Sequence, residues 1–229
     1  SQGKPIKQLF SMTGFDARTR PWYKAAENKN DGAWSDIYIL FTGTDMAIAP
    51  SKSVIDERGN LLGVVATDIF LSHISTFLEE LHQHRPGMSF IMEASGLMVA
   101  SSSKAPLFSK GSDRKPNKRL AASKSEDLVI RSSTMFLRDH FSDLSDVEGS
   151  HHFSFDIEGE PYFLELAPFQ DSDGLYWLIV IASPQSAFLE KITEGNYQTI
   201  WLIALAVLIT SLITIRISHW ITQPIRLLN

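Results

Sequence analysis

Two stretches of the chain share one hydrophobic rhythm. In SVIDERGNLLGVVATDIF, residues 53–70, apolar positions gather into two strand-like runs around a turn at Gly59-Asn60, and LSHISTFLEEL then shifts to helical spacing. In FSFDIEGEPYFLELAPF, residues 153–169, two more runs flank a turn at Glu158-Gly159-Glu160. The turn QDSDG leads to a last strand, LYWLIVIAS, and a helix is predicted from Pro184 with Ser183 as its cap. MSFIMEASGLMVASS adds two strands around Ser95-Gly96. Each half thus pairs an antiparallel hairpin with a β-rich strand feeding a helix. The pattern predicts an α+β chain of two small lobes in tandem, joined by a helix near Leu71 to His82.

The C-terminal pattern is different. IWLIALAVLITSLITI, residues 200–215, carries no charge, and with its flanks it reaches about 18 residues, near the length that spans a bilayer core. Trp201 and Arg216 stand where interface anchors belong. Glu190, Lys191 and Glu194 precede the run, whereas Arg216 and Arg226 follow it without an acidic residue. The positive-inside rule predicts one membrane helix, with the C-terminus in the cytoplasm and everything before Tyr197 outside. From Gln185 through Phe188 and Ile192 to Ile217 the pattern allows one nearly continuous helix, with Gly195 its weak point and Pro224 a kink beyond it.

Composition narrows the function. The chain has 229 residues, 44% of them hydrophobic, room for one large or two small domains. A net charge of −5 gives no global sign of nucleic-acid binding. Cysteine is absent, which excludes disulfides, thiol catalysis and Cys-ligated zinc. The chain opens without Met or signal peptide in a polar stretch, and is expected to be a piece of a longer protein. No P-loop, GxGxxG, GxSxG or HExxH occurs, so no enzyme active site and no cofactor are expected in this segment. His82 with His84, and His151 with His152, lack convergent carboxylates at ligand spacing and read as ordinary surface histidines. KGSDRKPNKRLAASK, from Lys110 to Lys124, reads as a solvated basic loop; a patch for anionic lipid or polysaccharide is the alternative, and the acidic run Asp139 to Glu148 a candidate partner.

One stretch near the start carries binding chemistry. FDARTRPWYKAA, Phe15 to Ala26, sets an arginine beside adjacent aromatics just after a turn. Pro21 holds Arg20 in extended geometry, so Arg20 and Trp22 project from the turn. A guanidinium is a planar fork for a carboxylate. Tyr38, on the alternating strand WSDIYILF, and Asp68, at the end of GVVATDIF, offer the opposite chemistry. Together they fit both ends of an α-amino acid with aromatics between. The competing reading makes Trp22 and Tyr23 core fillers and Arg20 a surface ion pair.

RPWY with Asp16 four residues before Arg20, the later Tyr38 and Asp68, FIMEASGLMVASS, GLYWLIVIASPQSAFLEKI and ITQPIRLL together resemble one family: the double-Cache sensor domains of bacterial transmembrane receptors. The resemblance implies two PAS-like lobes, the distal one incomplete at its N-terminus, its long first helix lying before Ser1. It implies a distal lobe over 1–72, a connecting helix over 73–86, a membrane-proximal lobe over 87–184, a juxtamembrane and transmembrane helix over 185–217, and the start of a HAMP linker over 218–229. Arg20 and Trp22 would take a ligand carboxylate and Tyr38 and Asp68 its ammonium, with Tyr23 lining the pocket. Phe15 stands where the family's motif has its first tyrosine. Its ring packs but exchanges no hydrogen bond with an ammonium, which leaves an amine, another carboxylate or an unusual amino acid open. The membrane-proximal lobe, lacking an arginine–aromatic pairing between Phe90 and Ser183, is expected to transmit rather than bind. The implied setting is the bacterial inner membrane, as a parallel homodimer, with a kinase, cyclase, diguanylate cyclase or chemoreceptor output and no nucleic-acid partner. A structural or adhesion ectodomain and an anchored enzyme are the readings from other classes.

Overall fold

The computed structural model describes residues 14–29, 31–83, 86–111, 117–187 and 201–211, with 214 and 216. The chain starts with a single helical turn, Ala17–Thr19, and the short helix α1, Pro21–Ala26, whose proline occupies a first-turn position where its missing N–H costs nothing. Six strands follow: β1 (Ala33–Trp34), β2 (Tyr38–Ile39), β3 (Met46–Ile48), β4 (Pro50–Ile55), β5 (Leu61–Ala66) and β6 (Ile69–Phe70). They form antiparallel sheets in the orders β1-β4-β5 and β2-β3-β6. Only Ala49 separates β3 from β4, so the two sheets run into each other along bent ribbons. Ser35 N donates to Ala49 O (2.9 Å) and Ala49 N to Ser35 Oγ (3.0 Å), keeping these buried backbone groups paired across the bend.

Helix α2 (Leu71–His82) leaves β6 directly and buries Leu71 and Leu78. Then come β7 (Met88–Met92), β8 (Met98–Ser101), the pair β9 (Phe108–Ser109) and β10 (Lys118–Arg119), helix α3 (Leu128–His140), and β11 (His151–Ile157), β12 (Glu160–Gln170) and β13 (Tyr176–Pro184). The five-stranded sheet has the order β11-β12-β13-β7-β8. The turns Asp56–Asn60 and Glu158-Gly159 fall where the sequence marks them, Glu158 and Gly159 both taking positive φ to close the β11–β12 hairpin.

The run MSFIM is apolar except for the buried Ser89, because β7 is buried on both faces. Phe90 and Met92 face α3 and join Met98, Ile130, Leu137, Leu164, Leu178 and Val180. Ile91 faces the other way, with Val99 of β8, Leu71 and Leu78 of α2, and Ile37, Met46 and Ile48 of the first sheets. One sheet therefore backs both its own helix and the strands that precede it. The chain divides into two compact units at Ser183/Pro184, and both sheet systems lie in the first.

Three expectations change. The basic run is not one solvated loop: β9 and β10 pair within it, and Arg119 forms an ion pair with Glu93 (2.9 Å) while donating to Met98 O (2.9 Å). These side chains are only 12% and 26% exposed, so the pair is anchored rather than frayed, and no described ion pair joins the run to Asp139–Glu148. Residues 112–116 and His84 lie outside the described residues. The last strand continues through Pro184, so Ser183 lies within the strand instead of capping a helix; a proline at a strand end loses no ladder bond that it needs. Residues 201–211 are helical, but among the described residues no helix is long and apolar enough to cross a membrane. The remaining parts of the expected span, Glu190, Lys191, Glu194, Gly195, Pro224, Arg226 and the HAMP segment 218–229 lie outside them.

Gly87 is required where the chain enters β7. Its φ is +113°, and a Cβ there would sit 2.6 Å from Ser183 Oγ and 2.8 Å from Ala182 O. Gly87→Ala is expected to destabilise the fold by about 1–3 kcal/mol, read as an earlier urea midpoint with an unchanged slope. An unchanged midpoint would mean that the β7–β13 junction yields.

Candidate ligand site

The site begins with a turn. Asp16 caps it, its Oδ1 accepting from Arg18 N (3.0 Å) while its carboxylate pairs with the Arg18 guanidinium (2.9 Å). Those hydrogen bonds from Arg18, side chain first, hold the Asp16 carboxyl below its ordinary acidity range. Asp16 is thus occupied in shaping the turn, and the turn delivers Arg20 as the extended N-cap residue of α1. Trp22 and Tyr23 follow on the first helical turn, their rings edge-on at 5.8 Å.

Arg20 reaches the strand opposite. Its Nη2 donates to Ile39 O (2.9 Å), and its guanidinium carbon lies 5.3 Å from the centroid of the Tyr38 ring. Tyr38, buried on β2, donates its phenol to Asp68 Oδ1. Burial first, then that acceptor and its negative charge, push the Tyr38 phenol well above the usual tyrosine range, so it stays a hydrogen-bond donor at any physiological pH. Asp68 itself is exposed, in the two-residue break between β5 and β6. Trp22 packs onto the cluster formed by Tyr38, Ala47 and Ala49, with Leu40 and Phe70.

The structure therefore brings Arg20, Trp22, Tyr38 and Asp68 together around one phenol ring, with Tyr23 beside Trp22. A cation lies over the ring and an anion at its hydroxyl, and both retain hydrogen-bonding capacity beyond their described partners. Such an arrangement has the chemistry to hold a molecule that carries both charges. Phe15 stands apart, 46% exposed, its ring edge-on to Phe41 at 5.5 Å. Sequence spacing carries no sign of Phe41 or of the Ile39 carbonyl, because they lie 26 and 19 residues downstream of Phe15 and Arg20 and neither is a residue type that marks a site. A cavity of about 360 Å³ lies elsewhere, lined by Trp34, Lys52 and Asp173 but by none of the four residues around Tyr38.

Residues 2–76 match the family described as methyl-accepting chemotaxis protein-like, first PDC sensor domain. Over 93% of its length the chain is 26% identical to the methyl-accepting chemotaxis protein McpC of Bacillus subtilis, covering 27% of that protein. Over its whole length it is 25% identical to adenylate cyclase 1 of Rhizobium meliloti, covering 35%. The chain thus spans roughly a quarter to a third of these relatives. Among solved structures, the ligand-binding domain of the Pseudomonas fluorescens chemoreceptor CtaA, crystallised with L-leucine, has the same fold. Its TM-score is 0.50 at 17% identity, covering 79% of this chain and 66% of that one. The fold is accordingly the α+β, antiparallel-sheet fold of that ligand-binding domain.

Proposed function

We propose that this chain is the extracytoplasmic sensing part of a bacterial transmembrane receptor, and that it binds an α-amino acid or a related amine or carboxylate. The observation that carries the reading is the constellation around Tyr38. Arg20 receives the ligand carboxylate with Trp22 beside it, Tyr38 and Asp68 receive the ammonium, and Tyr23 lines the pocket. The L-leucine held by the CtaA domain supports this class of ligand. The matched relatives include both a chemotaxis receptor and a cyclase, which supports one sensing module serving different outputs.

The reading is tested by thermal-shift and calorimetric screening of the chain against the standard L-amino acids, their decarboxylated amines and short dicarboxylates. A saturable rise in melting temperature with one of these classes supports it. No response to any of them overturns it.

The proposal includes a membrane helix over the apolar run that begins near Ile200, followed by the start of a HAMP linker, within a parallel homodimer. Its support is the uncharged run of the sequence and the helical residues 201–211, whose apolar side chains face outward, Trp201 being 75% exposed. A reporter fused after Asn229 is expected to be cytoplasmic and one inserted between Gly111 and Asn117 periplasmic. The reversed pattern, or two reporters on the same side, would remove the membrane helix from the proposal.

A further inference from the structure

The turn Asp171–Gly174 leads into β13 and is tied to the first sheet by a hydrogen bond: Trp34 Nε1 donates to Asp171 Oδ2 at 2.5 Å. The same carboxylate is locked from its own side, Oδ1 accepting from Asp173 N (3.0 Å) and Leu175 N (2.7 Å). Beside this anchor lies the cavity of about 360 Å³. Its floor is a sheet face. Trp34 is paired with Pro50 and Lys52 with Val65, and Pro50 and Lys52, two residues apart on β4, point to the same side. Asp173 comes over from the turn. Lys52 and Asp173 are exposed, and neither belongs to a described ion pair.

The geometry points to a second small-molecule site in this cleft, for a zwitterion of amino-acid size. Lys52 takes its carboxylate, Asp173 its ammonium, and the Trp34 ring and Val65 form the apolar wall. The volume falls in the ordinary range for small ligands, roughly 300–1,000 Å³. The charge pair sets the class: Asp173 repels a simple anion and Lys52 a simple cation, so only a molecule with both ends charged satisfies the two walls. An occupant would touch the strand β1, which leads toward Tyr38, and the turn that starts β13. It would therefore brace the first sheet against the strand by which the first compact unit ends. The inference does not require the Arg20 site to bind anything.

The test uses the full chain carrying Arg20→Ala, labelled with nitrogen-15 at tryptophan. The Trp34 indole resonance is assigned by its loss in Trp34→Phe. The standard L-amino acids and γ-aminobutyrate are titrated to about 1 mM. At least one is expected to shift that resonance saturably. Lys52→Ala and Asp173→Ala should each weaken the binding roughly five- to thirtyfold. Val65→Trp, which fills the cleft from an exposed position, should abolish it. The inference is overturned if no probe moves the resonance, or if the shift survives Lys52→Ala and Asp173→Ala unchanged. A shift seen only with Arg20 intact also overturns it, by assigning all binding to the Arg20 site, and leaves the proposed function standing.

Discussion

Arg20→Ala is expected to weaken binding of a carboxylate-bearing ligand by about ten- to a hundredfold while the unliganded chain melts close to the wild type. A charge-assisted hydrogen bond to a carboxylate contributes roughly 1.5–3 kcal/mol, which converts to that range of affinity. The folded chain itself uses Arg20 for one bond to Ile39 O and for stacking on Tyr38, at a half-buried place, and losing these costs on the order of 1 kcal/mol. Asp68→Asn separates charge from shape. The amide oxygen still accepts from the Tyr38 phenol, so the local fold keeps its bond, but the negative charge facing an ammonium is gone. That variant should therefore lose affinity for amine-bearing ligands and retain it for simple carboxylates. Calorimetric titration of the two variants beside their urea curves decides the matter. If both variants unfold earlier and bind ligand as before, Arg20 and Asp68 are structural and the site lies elsewhere.

The hairpins were legible because turn chemistry is local: Gly59 and the Glu158-Gly159 pair sit at fixed offsets between apolar runs. The connecting helix was legible from its spacing, and α2 ends at His82 as the pattern asks. Helix α3 is not marked by an apolar pattern alone. Two of its buried positions, Ser133 and Thr134, are polar, and Thr134 meets its need by donating to Ile130 O (2.8 Å), so burial does not require an apolar letter there. Ile130 and Leu137 alone mark the fully buried apolar stripe. The Arg119–Glu93 pair was hidden for another reason. It joins β10 to a residue 26 positions earlier, just past the end of β7, and no periodicity in the basic run reports such a partner. At the proposed site, residue types and the family resemblance singled out Arg20, Trp22, Tyr38 and Asp68, and the structure places these side chains near one another. Their actual partners depend on β2 coming within reach of Arg20 and Trp22, which only the fold supplies.

Two neighbours on β7 separate stability from sensing. Phe90 is fully buried between β13 and β8, opposite Val180 and Ser101, and faces the α3 side of the sheet. Phe90→Ala removes a whole ring from a closed core and is expected to cost about 3–5 kcal/mol. For a chain of this size that lowers the melting temperature by roughly 6–20 °C. The cavity opens away from the strands that carry Tyr38, so the remaining folded protein should bind ligand within a few-fold of wild type. Ile91 faces the other way, in contact with the cluster that holds Ile37 and Met46, residues that flank Tyr38 in sequence and in the β2–β3 pairing. Ile91→Ala is expected to cost about 2–5 kcal/mol and also to loosen the floor under the site, so affinity should fall together with stability. Calorimetric melting and ligand titration on both variants read the two quantities separately. If Phe90→Ala lowers affinity as much as Ile91→Ala does, the two faces of the sheet are not independent, and the site depends on the whole core behind it.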